Sequence, residues 1–329
     1  RRTTPSSDGY SMPFEGGPHK ATVILWPFRS DTWREKAAPG REAFAQVVKA
    51  IARFEPVIVG VHPSLPPSSF ALISGVPNVT VIRVRYNDSW ARDNMPLFVK
   101  KGSSLRGVDF RFNAWGGNVD GLYANYHDDD KLSSVFCRRY KIPDYYLPSF
   151  VLEGGSIAVD GEGTCIVTEA CLLSKGRNPT LSKEEIEETL KSYLGVTKVI
   201  WIPHGIVEDE TNEHIDNMVA FVRPGVLALA WCQDENDLQA EYSKRAFQIL
   251  SQEKDAAGRS FEIIKLDVPN PVLRETPEEA KGIKKGGYDA KPRPAEARLA
   301  ASYVNFYQGE KFVIMPGFAL AHAAPGEDV

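Results

Sequence analysis

Two spacings of apolar residues alternate along this chain. Short runs rich in Val, Ile and aromatic side chains predict strands, and stretches with apolar residues three and four apart predict helices. The second half shows this most clearly. Residues 156–159 and 164–168 flank Asp160-Gly161-Glu162-Gly163 and predict a hairpin. Ser182 and Glu185 predict a capping box, after which Ile186, Leu190, Tyr193 and Leu194 share one helical face. Residues 198–202 form the next strand, so the order is β-β-α-β. The order recurs. Residues 218–222 and 226–231 flank Arg223-Pro224-Gly225. Leu238, Tyr242, Ala246, Ile249 and Leu250 give a helical stripe, and residues 261–266 close the unit.

A loop rich in Pro, Gly and charge follows at 267–296, long enough to suggest a functional role or mobility. A third unit opens with 302–307 and 311–315 around Gln308-Gly309-Glu310. After Met315 the sequence holds Pro-Gly-Phe and a short Ala-rich tail, with no ordinary helix and no closing strand. The expectation is an unfinished repeat with an uncovered apolar flank. Omitted residues, truncation and a natural difference from relatives are all open explanations. The first half fits the scheme less cleanly. Strands are predicted at 21–26, 56–61 and 79–84, a helix at 42–54, and a hairpin from 96–100 and 107–112.

Composition narrows the function classes. The 329 residues suffice for a sizeable core, with 43% hydrophobic and 25% charged residues, the balance of a globular protein. A formal charge of -4 argues against a nucleic-acid partner. No apolar run is long enough to span a bilayer, and the N-terminus lacks the apolar core of a signal peptide. The expectation is a cytoplasmic protein. The four cysteines, Cys137, Cys165, Cys171 and Cys232, fit no zinc spacing and no disulfide framework. The last three sit in apolar surroundings and read as buried reduced thiols; Cys137 is ambiguous. No Gly-x-Gly-x-x-Gly joins a strand to a helix, so no dinucleotide site is expected.

Chemistry concentrates where strands end. The strand at 79–84 leads into Asn87-Asp88-Ser89-Trp90-Ala91-Arg92-Asp93. Later strand ends carry Glu153-Gly154-Gly155 and His214-Ile215-Asp216. Acids and a histidine gathered from separate strand ends suggest an active site for a cationic substrate. Each cluster alone also reads as a solvated loop, and the case rests on all three. Arg92 reads at least equally well as an ion-pair partner. The Gly116-Gly117 and Gly154-Gly155 pairs read as tight backbone turns.

These segments carry a resemblance. Met12-Pro13, Trp26-Pro27, the 87–93 segment and Phe112-Asn113-Ala114-Trp115-Gly116-Gly117 are similar to agmatine deiminases. So are Leu152-Glu153-Gly154-Gly155-Ser156, Asp160-Gly161-Glu162-Gly163-Thr164, His214-Ile215-Asp216-Asn217 and the 299–307 segment. The chain thus resembles a guanidine-modifying family with an α/β fold, a five-bladed propeller (pentein) of ββαβ repeats. The resemblance implies one catalytic domain over 1–329, with its C-terminal part missing. It implies agmatine as substrate, no cofactor or metal, and a homodimer.

By the same resemblance Asp93 and Asp216 hold the guanidinium, which suits bidentate carboxylates. Glu153 hydrogen-bonds and orients His214, the general acid and base. Trp90 forms a wall that stacks on the planar cation, with Trp115 also lining the site. Glu210, in the acidic run Glu208-Asp209-Glu210, is either an acid for the substrate's tail or part of a solvated loop. Two departures stand out. The family's nucleophilic cysteine, in Gly-Gly-Gly-Asn-Ile-His-Cys, has no match here, and none of the four cysteines has its context. Glu213 also stands where the family has glycine. Two rivals stay open: a bacterial-type peptidylarginine deiminase, and a non-catalytic guanidine-binding relative.

Overall fold

A computed structural model describes residues 3–284 and 290–318. The Ala-rich tail and part of the 267–296 loop lie outside the described residues. Five small sheets make up the strand structure of the described residues.

The first sheet is all parallel. Strand β1 (Thr22–Leu25) leads through helix α1 (Ala38–Ala52) to β2 (Val57–Val61), and β3 (Val79–Arg83) joins on the far side of β2. Ala45, Val48, Ile51 and Ala52 of α1 are buried, a stripe at three- and four-residue spacing. The helix begins earlier than its apolar stripe predicts, because Pro39 suits the first turn.

The next three sheets share one plan, a hairpin followed by a parallel strand. After the short helix α2 (Ala91–Asn94), β4 (Leu97–Lys101) and β5 (Ser104–Arg111) pair antiparallel. The short α3 (Gly117–Asp120) and then α4 (His127–Arg139) follow, and β6 (Asp144–Val151) runs parallel to β5. Asp128, Asp129 and Asp130 occupy the first turn of α4, where the helix dipole favours negative charge. In the third sheet β7 (Ala158–Val159) pairs antiparallel with β8 (Thr164–Thr168). Helices α5 (Glu169–Leu172) and α6 (Lys183–Leu194) then lead to β9 (Lys198–Ile202), parallel to β8. The predicted capping box of α6 is present, with Ser182 and Glu185 each satisfying the other's backbone N–H. The fourth sheet joins β10 (Val219–Arg223), β11 (Val226–Trp231), α7 (Leu238–Gln252) and β12 (Glu262–Asp267) in the same way.

Three expectations need correction. Leu238 is exposed, because the buried stripe of α7 runs through Gln239, Ser243, Ala246 and Leu250, one residue out of phase with it. Ser243 is tolerated there by donating its hydroxyl to the Ala230 carbonyl at 2.8 Å. The 267–296 loop contains a helix, α8 (Pro277–Gly282), capped by Thr276 and Glu279. The final hairpin is shorter than predicted, with β13 (Tyr307–Gly309) paired to β14 (Phe312–Ile314). Residues 302–306 turn instead, as Val304 N–H bonds Ser302 Oγ and Phe306 N–H bonds the Val304 carbonyl.

Neighbouring units share their cores. Val99, Val108 and Phe110 of the second pack with Cys165, Val167, Ile186 and Leu190 of the third. Ile166, Ile200 and Ile202 of the third pack with Val219, Leu227, Leu229 and Leu250 of the fourth. The final segment bridges the fourth unit to the first. Val304 and Phe306 lie against the fourth, and Tyr307, Phe312 and Ile314 against α1 and β2. Val313 and Met315 of this segment are exposed. Strands β3, β6 and β9, each parallel to its neighbour, lead directly into the 87–93, 153–155 and 203–216 segments.

Candidate active site

The 87–93 segment is fixed by Asp129, which arrives from the first turn of α4. Its carboxylate accepts N–H bonds from Asn87 at 2.7 Å and Asp88 at 3.1 Å, a side-chain bond from Asn94 at 3.0 Å, and the Tyr123 hydroxyl. Asn87 reciprocates, its amide oxygen accepting from the N–H groups of Asp128 and Asp129. Burial pushes the Asp129 carboxyl up to about 7. Asp88 is structural as well. It accepts the indole N–H of Trp33 at 3.2 Å and of Trp90 at 3.1 Å, and Arg29 lies 3.8 Å away. Trp90 is 40% exposed and stacks on Trp33, with ring centroids 5.3 Å apart. One face of Trp90 is therefore covered by protein. Arg92 pairs with Glu15 at 2.5 Å, in agreement with the ion-pair reading.

Asp93 is held from two sides. Its Oδ1 accepts the N–H of Gly155 at 2.8 Å, and its Oδ2 accepts the indole N–H of Trp115 at 3.0 Å. Gly155 is the meeting point of the site. A Cβ there would stand 2.4 Å from His214 Nδ1, 2.8 Å from Asp216 Oδ2 and 2.8 Å from Asp93 Oδ1. Only glycine lets the three groups close on this backbone. At Gly154 a Cβ would meet the Arg92 carbonyl at 2.2 Å. The Gly154-Gly155 pair thus serves close approach. Gly116 and Gly117, at φ of 154° and 55°, do serve a turn.

That turn is strained. Ala114 at φ 55° and Trp115 at φ 63° precede the two glycines in the left-handed region. Asn212 at 67° and Glu213 at 63° do the same just before His214. Non-glycine residues in such conformations cost roughly 1–3 kcal/mol each and persist only where their surroundings hold them. Glu213 folds back, its carboxylate accepting the Gly205 N–H at 2.9 Å and lying 3.0 Å from His204 Nδ1. Glu213, where the resemblance implies glycine, therefore keeps a glycine-like backbone, supported by its side chain. Asp209 shapes the same loop, accepting the N–H of His214 and the side-chain amide of Asn217, both at 3.1 Å.

His214 is 2% exposed. Burial opposes its charge, but Asp93, the neighbouring Cys171 and Asp216 outweigh this and hold the imidazole well above its usual range. Burial, opposed by His214 and reinforced by Asp93, pushes the Asp216 carboxyl up to about 7. The site is therefore a histidine held cationic beside two carboxylates. Glu153 Oε1 lies 4.0 Å from His214 Nε2, which is ion-pair range and longer than a hydrogen bond. Its nearer partner is Arg177, whose Nε is 2.7 Å from the same oxygen. Both side chains are fully buried.

The structure thus brings Asp93, Trp115, Glu153, His214 and Asp216 together, with Trp90 adjoining Asp93 through the α2 turn, where Asp93 N–H bonds the Trp90 carbonyl at 3.0 Å. Glu210 is exposed and its carboxylate is held by Arg293, which also lies 3.4 Å from Glu275. Arg177 and Cys171 were not legible as site residues. Arg177 follows Ser174-Lys175-Gly176, which reads as a polar surface turn, and Cys171 lies in a short apolar stretch. All four cysteines are buried free thiols. Burial pushes the Cys137 thiol up to about 12 and raises Cys165 further. Among the described residues no group of His, Cys, Asp and Glu has metal-holding geometry, and no helix is long and apolar enough to cross a membrane.

Known proteins share this arrangement of segments. The family described as Porphyromonas-type peptidyl-arginine deiminase matches residues 11–324. The agmatine deiminase of Stutzerimonas stutzeri is 44% identical over 322 residues, 96% of this chain and 85% of that protein. A solved structure of the Enterococcus faecalis agmatine deiminase aligns with a TM-score of 0.89 at 39% identity, covering 97% of this chain and 86% of that one. A cysteine-to-serine variant of the C. jejuni agmatine deiminase, with substrate bound, gives a TM-score of 0.76 at 26% identity, covering 94% and 83%. Matches of this identity run almost from end to end, and the chain belongs to the agmatine deiminase family.

Proposed function

We propose that this protein hydrolyses agmatine to N-carbamoylputrescine and ammonia. The observation that carries the reading is the convergence of Asp93, His214 and Asp216 on Gly155. Two carboxylates beside a histidine suit a planar, permanently charged guanidinium. Asp93 and Asp216 bind its N–H groups, and Trp115 fixes the direction of Asp93. His214 gives a proton to the departing ammonia and then takes one from the attacking water. Glu153, 4.0 Å from His214 Nε2, faces that side of the ring and helps to orient it. The exposed face of Trp90 covers the flat substrate. In relatives the guanidinium carbon is attacked by a thiolate, giving a covalent adduct that water releases. None of the four buried cysteines carries that role in this reading, so the turnover proposed is that of a protein that also carries the thiolate motif Gly-Gly-Gly-Asn-Ile-His-Cys, which the 329 residues do not include. The fold component of the proposal is a five-bladed propeller, with the final hairpin lying between the fourth and first blades, and its assembly is a homodimer.

Specificity for agmatine over arginine rests on the site's negative character and on the identity to agmatine deiminases. The test is ammonia release from agmatine, arginine and a peptide ending in arginine. Turnover of agmatine well above the other two supports the proposal. Comparable turnover of agmatine and arginine contradicts it, and preference for the peptide favours a peptidylarginine deiminase.

A further inference from the structure

Arg177 is a cation placed in the protein interior, with a side chain that reaches no solvent. A buried charge of this kind is costly unless it is paired and fully hydrogen-bonded. Here both terminal nitrogens of the guanidinium are hydrogen-bonded and Nε is ion-paired. Nε lies 2.7 Å from Glu153 Oε1. Nη1 donates to the Trp115 carbonyl and to Asn212 Oδ1, both at 2.8 Å, and Nη2 donates to the Thr211 carbonyl at 2.8 Å. The partners come from three separate segments of the chain.

Two of those segments are the ones held in left-handed backbone, Ala114–Gly117 and Asn212–Glu213. Each delivers a site group. Trp115 gives its indole N–H to Asp93, and the 211–213 turn delivers His214. The third partner, Glu153, faces His214 Nε2. The second turn is also tied to the helix that follows the first, as Asn212 donates to Asp120 Oδ2 at the end of α3 at 2.8 Å. Asn178, next in sequence, fixes the end of β6 just ahead of Glu153. Its side chain accepts the Val151 N–H and donates to the Val151 carbonyl, both at 2.9 Å.

From this geometry we infer that Arg177 is a positioning residue: one guanidinium fixes the Trp115 turn, the His214 turn and Glu153 relative to one another. It touches none of the groups proposed to contact the guanidine of the substrate, and it acts through three that shape the site. Lysine keeps the charge opposite Glu153 but concentrates its donors on one nitrogen, which cannot reach all four acceptors. Glutamine removes the charge as well.

The inference rests on the proposed deiminase reading for its kinetic part, so its test includes a readout that needs no activity. Arg177→Lys and Arg177→Gln are compared with the unaltered protein by hydrogen exchange and by agmatine kinetics. Faster exchange confined to residues 113–121 and 209–217 is expected in both variants. A fall in kcat of about 100-fold is expected for Arg177→Gln, with a smaller fall for Arg177→Lys and a lesser change in KM. Exchange unchanged in both segments overturns the inference, and so does faster exchange spread through the whole molecule. Unchanged kcat in folded Arg177→Lys also overturns it, which keeps the test decisive if Arg177→Gln fails to fold. If the unaltered protein does not turn over agmatine, the functional reading fails and the exchange pattern alone decides the role of Arg177.

Discussion

Trp115 donates its indole N–H to Asp93 Oδ2 across 3.0 Å from a backbone held at φ 63°. A strained turn is thus maintained where its side chain fixes the direction of a site carboxylate. Trp115→Phe keeps the ring and deletes the donor. Hydrogen bonds to charged groups contribute roughly 1.5–3 kcal/mol, so kcat/KM for agmatine should fall about 10- to 100-fold with little change in melting temperature. Steady-state kinetics and a thermal melt check this, and an unaltered kcat/KM would remove the bond from the account.

Gly155→Ala tests the convergence itself. The added methyl would sit 2.4 Å from His214 Nδ1 and 2.8 Å from the two carboxylates. At least one group must move, and a displacement of this size costs on the order of 100-fold in rate. The fold should survive with a melting temperature lowered by a few degrees. Wild-type turnover by this variant would show that the three groups do not act together.

These two residues also mark what the sequence makes legible. The strand positions and the α6 cap can be read because β-branched runs and capping boxes are local signals. The three polar clusters can be read because each follows a strand. That Gly155 is where they meet cannot be read, since it depends on how three sheets pack. Arg177 escapes for the same reason: in sequence it is one more charge in a polar turn. Glu210 reads from sequence either as an acid for the substrate's tail or as part of a solvated loop, and its pairing with Arg293, 83 residues away, cannot be read there.

Glu213 offers a test of stability. Its left-handed backbone favours glycine, while its carboxylate supports Gly205 and His204. Glu213→Ala keeps the strain and loses the carboxylate, whereas Glu213→Gly loses the carboxylate and relieves the strain. Glycine should therefore exceed alanine in unfolding free energy by roughly 1 kcal/mol, read from denaturant melts. Equal stability, or alanine above glycine, would mean the backbone is not strained there.

Asp109 gives a pH dependence. It is buried on β5, and burial first, then Asp144 and Asp130, push its carboxyl up to about 7 from an ordinary value of 3.8. Between those values the unfolded chain has released this proton while the folded chain keeps it. Asp109 thus makes stability fall as pH rises from about 4 to about 7, with no further loss above that. Asp109→Asn imitates the protonated acid and should remove this contribution, on the order of 2 kcal/mol after allowing for partial screening. Denaturant melts of both proteins at pH 5 and pH 8 check it. Parallel pH slopes would contradict the assignment.

The central claim is that the carboxylates meeting at Gly155 bind the guanidine of agmatine for hydrolysis. The most direct measurement pairs the unaltered protein with Asp93→Asn and follows N-carbamoylputrescine and ammonia formed from agmatine. The account predicts equal amounts of the two products from unaltered protein that carries the thiolate motif, and none from the 329 residues alone. For Asp93→Asn it predicts a loss of at least about 30-fold, since removing one partner of a desolvated charge pair costs roughly 2–5 kcal/mol. A folded Asp93→Asn protein that forms both products at the unaltered rate would contradict it.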